Sequence, residues 1–95
     1  MKSVSYIDIA NFNISKFALT EVLPSISQRI ERKKRLLRAL ILNYFEHQPV
    51  TICFLNSQGD IFVLECSVIA VTDEHVMLKS GIVIPVKSIS SIELI

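Results

Sequence analysis

Apolar and polar positions along the chain follow two different periods. Residues 25–46 are good helix formers without a glycine, and the run stops at His47, Gln48 and Pro49. At about 100° per residue, Ile26, Ile30, Leu37, Ile41 and Tyr44 fall on one stripe, widened by Leu36 and Leu40. The halves of this helix differ. Around residues 29–38 charges nearly encircle the axis and Lys33 sits on the stripe itself, so this half is expected to be largely solvated. Residues 36–45 are apolar almost all round once Leu42 is counted, so this half needs cover on more than one side.

Beyond Pro49 the period becomes that of strands. Residues 50–55 and 61–71 are β-branched and aromatic runs joined by a turn containing Gly59. A turn at 72–75, a strand at 76–79, a turn at Ser80 and Gly81, then strands at 82–86 and 89–95 complete a five-stranded meander. Both glycines fall in turns, where positive φ costs them little. Alternation assigns Ile52, Phe54, Ile61, Val63, Val76, Leu78, Ile84 and Ile92 to the core. Before the long helix, residues 3–11 fit a short strand. Residues 14–23 fit a short helix capped by Asn13 and ended by Pro24. The prediction is a single α+β, mainly β domain over residues 1–95: an N-terminal segment, 1–47, carrying the basic amphipathic helix, then a five-stranded antiparallel barrel over 50–95.

Charge sharpens this picture. Net charge is only +1, which argues against a uniformly basic nucleic-acid protein. Yet six of the ten Lys and Arg residues lie between Arg29 and Arg38, whereas residues 50–95 hold only Lys79 and Lys87 against five acids. Cys53 and Cys66 stand apart in apolar runs with no Cys-x-x-Cys pair, and read as reduced core residues. The first residues lack the pattern of a signal peptide, and no apolar run approaches the ~18 residues of a membrane span, so a cytoplasmic protein is expected.

Candidate chemistry is sparse. Asp73, Glu74 and His75 form the one cluster of acids and imidazole, but they are also ordinary turn residues, and the sequence places no Ser or Cys nucleophile beside them. His47 suits a helix C-terminus better than a metal site, and two separated glycines make no phosphate-binding loop. Arg29, Arg32, Lys33, Lys34, Arg35 and Arg38 could contact phosphates, although a solvated helix face is the commoner meaning of such a run. Glu31 can pair with Arg35 at i,i+4.

A helix feeding five short antiparallel strands resembles the Sm-like family of the LSm proteins and Hfq, over about residues 35–95. Asp73, Glu74, His75 and Val76 resemble the motif that follows its long second strand, and Ile89, Ser90, Ser91 and Ile92 resemble the opening of the last strand in Hfq. The resemblance implies an Sm-like (SH3-like) barrel and places His75 where relatives stack a base. Met77, Pro85, Val86 and Lys87 depart from the family's Asn, Arg-Gly and Lys-His positions. Gly81, Ile84, Pro85, Ile89, Ile92 and Glu93 also resemble the ending of the YolD-like proteins, small bacterial and phage-borne chains.

The function expected from these features is a non-enzymatic, oligomeric protein-interaction or scaffold module without metal or cofactor. The alternative is binding of RNA or single-stranded nucleic acid through the six basic helix residues together with His75 and Lys87. A homo-oligomer is expected to form through the last strand, with Ile89, Ser91, Glu93 and Ile95 at the interface, joined by Leu36 and Leu42 of the helix.

Overall fold

The structure, a computed structural model, describes residues 4–7 and 16–94. Helix α1 (Ile26–Glu46) lies centrally in the chain, between strand β1 (Val4–Ile7) and strands β2 (Val50–Leu55), β3 (Ile61–Cys66), β4 (Val68–Val71), β5 (His75–Leu78), β6 (Val83–Pro85) and β7 (Ile89–Glu93). A 3-10 turn, Val86–Ser88, joins the last two. Ser25 caps α1 by accepting from the Gln28 amide, satisfying one of the donors a helix start leaves free. His47 ends it in the left-handed region, its amide returning to the Asn43 carbonyl at 3.1 Å.

The strands form two open sheets, ordered β1-β3-β2-β7 and β4-β5-β6. This corrects the expected architecture: no barrel closes among the described residues, and the helix is not N-terminal to all the strands. The apolar run that resembled one long strand breaks at Ser67, where the chain leaves the first sheet and enters the second. One edge strand of each sheet, β7 and β4, packs against α1, where a closed barrel would need strand-to-strand hydrogen bonds. β1 pairs in parallel with β3, with Val4 opposite Ile61 and Ile7 opposite Leu64.

The predicted short helix at 14–23 is also corrected. Residues 16–23 are not helical, and Ile14 and its cap Asn13 lie outside the described residues. Instead Phe17 bridges to Asn56, the Ala18 amide donates to the Leu55 carbonyl and the Val22 amide to that of Lys87. The bridge to the end of β2 and a Phe17–Phe54 ring contact at 5.5 Å outweigh a weak helical period.

The core lies between the two sheets and α1. Ile52, Phe54, Leu64, Val68, Val76, Leu78, Ile84, Ile89 and Ile92 are fully buried in it with Leu36 and Ala39. Ile61 and Val63 are only half-buried, because β3 turns Leu64 and Cys66 inward and packs Phe62 against Phe54. The side-chain period of a strand is two, so the inward choice on β3 is one residue out of step with the expectation.

The inner face of α1 consists of Arg32, Leu36 and Ala39, flanked by Leu40 and Asn43. Ala39 lets the helix approach the sheets closely. The stripe picked out by period points the other way, with Ile26, Ile30, Leu37, Ile41 and Tyr44 exposed. Lys33, on that same stripe, requires water, whereas Arg32 on the opposite stripe finds buried acceptors.

Candidate interaction surface

The basic half of α1 is not a free cationic face. Arg32 is 6% exposed. Its Nη1 donates to Glu21 at 2.7 Å and to the Ile89 carbonyl at 2.9 Å, and its Nη2 pairs with the other Glu21 oxygen. Arg29, Lys33, Lys34, Arg35 and Arg38 are exposed, as a largely solvated half requires, and Arg32 is the exception. Glu21 also accepts from the Leu23 amide at 3.0 Å. The Arg32 hydrogen bond holds the Glu21 carboxyl below its usual range against the opposing effect of burial, and the Leu23 amide and the charges of Arg32 and Arg29 lower it further.

Neighbouring cations are similarly engaged. Arg29 Nε donates to the Leu23 carbonyl at 2.8 Å, and Arg35 Nη1 to that of Ile92 at 3.0 Å. Arg35 Nε also reaches Glu31 at 3.4 Å, the i,i+4 pair anticipated from the spacing. Lys33 meets Asp73 at 3.0 Å in a solvent-exposed pair. Lys34 and Arg38 make no hydrogen bond or ion pair among the described residues. The run therefore works mainly as a clasp that holds α1 to β7 and to residues 21–24, because guanidinium groups satisfy carbonyls and a carboxylate at once.

His75 and Lys87 are both exposed and line a cleft of about 790 Å³ with Lys16, Phe17, Arg32 and Asp73. Charges of both signs border it. Ser57 lines the same cleft, but no hydrogen bond joins it to His75, and the described residues contain no group of three potential metal ligands. The cleft thus brings His75, Lys87 and Arg32 together without assembling a nucleophile, base and acceptor.

The residues expected at an oligomer interface separate. Ile89 and Leu36 are fully buried inside the subunit and are not available to a partner. Leu42 is half-buried, Ser91 and Glu93 are exposed, and Ile95 lies outside the described residues. Because Arg32 and Arg35 occupy the Ile89 and Ile92 carbonyls, and α1 packs against β7, the last strand is not a bare edge.

The exposed apolar surface lies elsewhere. Ile26, Ile30, Leu37, Ile41, Tyr44 and Phe45 project from the outer face of α1, each between 42 and 75% exposed. Tyr44 and Phe45 pack edge to face, with ring centroids 4.9 Å apart. Their role as a surface was missed from the sequence, although Lys33 within the stripe is the signal that could have revealed it. A smaller apolar set, Ile69, Met77 and Val83, is exposed on the second sheet. No helix among the described residues is long and apolar enough to cross a membrane. No family model, no curated protein and no solved structure matches this chain.

Proposed function

We propose that this protein is a non-enzymatic protein-interaction module whose contact surface is the outer face of α1. One observation carries this reading: six large apolar side chains stand in a row on a helix whose opposite face is already packed. A soluble monomer rarely exposes an apolar patch beyond a few hundred Å², and a larger one marks a contact site. The occupant is a protein surface that presents a matching apolar ridge, because the spacing of Ile26, Ile30, Leu37, Ile41 and Tyr44 is that of helix against helix.

Nucleic acid fits less well. Three of the four arginines in the basic run are engaged with carbonyls and carboxylates of their own chain, leaving Lys34 and Arg38 as the cations of α1 without a hydrogen bond or ion pair among the described residues. Few phosphates can be neutralised that way, and the apolar row supplies none of the charge. The chain has no Trp, the residue that most favours a membrane interface.

A photo-crosslinking residue placed at Ile41, in cells producing the full chain, tests the reading. A discrete protein adduct is expected, lost when Tyr44→Glu is added, with none from the same residue at Lys79. Absence of any protein adduct at position 41 overturns the proposal. So does a salt-sensitive mobility shift with generic RNA that vanishes in Lys34→Glu/Arg38→Glu and leaves the Ile41 position uncrosslinked.

A further inference from the structure

We infer that the partner seated on the outer face of α1 is a second copy of this chain, with the two helices antiparallel and crossing at Leu37. This rests on the reading of that face as the contact surface and adds the identity and direction of its occupant. Exposed positions 26, 30, 37, 41 and 44 are separated by intervals of four, seven, four and three, with Lys33 filling the gap. That spacing maintains one seam along the whole helix, as helix pairs require. A single large apolar residue then sits at its middle, Leu37, which lies near the centre of Ile26–Glu46.

Charge selects the direction. A parallel pair would place Lys33, Lys34 and Arg38 of one copy level with the same cations of the other. An antiparallel pair centred on Leu37 sets Ile30 level with Tyr44 of the second copy and Lys33 level with its Ile41. The cationic turns then lie beside the stretch 39–45, which carries no charge and ends in Tyr44 and Phe45. Lys33 and Lys34 then meet the uncharged Ile41 and Leu40, and Arg29 lies level with the Phe45 ring, where a parallel pair would set a second basic run beside them. The antiparallel arrangement therefore avoids the like-charge contacts that a parallel pair would force.

Area supports the same occupant. A standard interface covers about 800 Å² per partner. Six large side chains exposed by two-fifths to three-quarters supply most of that on each side, and a two-fold operation uses the same patch twice. The inner face of α1 stays on its own sheets, so pairing requires no rearrangement of the subunit.

Light scattering on the full chain, combined with paired cysteine variants, tests the inference. The expected mass at tens of micromolar is twice the 10.7 kDa of the chain, returning to the single mass in Leu37→Glu with an unchanged circular dichroism spectrum. Under mild oxidation, a mixture of Ile30→Cys and Tyr44→Cys proteins should give a linked dimer. Ile30→Cys alone should not, because its two copies would be separated by about 21 Å along the pair. The unsubstituted chain, with Cys53 and Cys66, serves as the blank. A monomer mass, or crosslinking of Ile30→Cys alone, overturns the inference. If the adduct formed at position 41 contains a different protein, self-pairing fails while the interaction reading stands. If position 41 gives no adduct, both fail.

Discussion

Arg32, on the inner face of α1, is clamped by Glu21, a residue eleven positions earlier that leads into the helix. The pair orients the helix: the guanidinium also holds the Ile89 carbonyl of β7, so linker, helix and last strand meet at one side chain. Its Nε is buried without a hydrogen-bond partner among the described residues, at a cost of about 1 to 3 kcal/mol that the other contacts offset.

Removing the acid should therefore be more damaging than its partial exposure suggests. Glu21→Gln leaves a buried cation without its counter-charge and should cost about 3 kcal/mol. Chemical denaturation of this variant beside wild type measures the loss.

The same pair sets a pH dependence. The folded pKa of Glu21 is below its usual value of 4.5. Its contribution is therefore complete above that value and is lost as pH falls through the lower, folded one. Denaturation midpoints followed downward from pH 5 should fall more steeply for wild type than for Glu21→Gln. Parallel curves would show that the pair contributes nothing.

Basic residues of α1 should divide sharply by position. Arg32→Glu/Arg35→Glu places an acid beside Glu21 and abandons two β7 carbonyls, so the protein should be largely unfolded, since a domain of this size has only about 5 to 15 kcal/mol in reserve. Lys34→Glu/Arg38→Glu, on unengaged side chains, should change stability by no more than about 0.5 kcal/mol. Circular dichroism melts of the two double variants, at concentrations where the chain is monomeric, make the comparison.

The two cysteines offer a probe of the core. Burial, reinforced by the charge of Glu65, pushes the Cys66 thiol up to about 12, and a thiol that remains protonated is a poor nucleophile. Cys66 should resist alkylation in the native protein at pH 8 and react at full rate in denaturant. Mass spectrometry of the labelled peptide gives the answer.

Much of the local structure was legible in the sequence. Ser25 and the Gln48–Pro49 stop bracket α1, and Gly59 and Gly81 mark turns with φ of 86° and 94°. Local sequence carries such signals because caps and turns are satisfied within a few residues. The face that α1 turns inward was not legible. Leu36, Ala39 and Leu40 form one apolar stripe and Leu37, Ile41 and Tyr44 another, and the choice between them depends on Glu21 and the Ile89 carbonyl, remote in sequence. β3 poses the same problem, since Ile61, Phe62, Val63 and Leu64 are apolar on both faces. With the helix orientation unknown, the surface of α1 could not be told from its core.

Sedimentation of wild type and of Ile41→Glu/Tyr44→Glu over a range of concentrations tests the central claim most directly, that two copies of the chain pair through the apolar outer face of α1, a surface and not part of the core. Ile41 and Tyr44 are 54% and 75% exposed in the subunit. The double variant should keep the wild-type circular dichroism spectrum and sediment as a monomer throughout, while the wild-type mass rises with concentration. An unfolded variant, or a wild-type mass that stays monomeric and matches the variant at every concentration, would contradict the account.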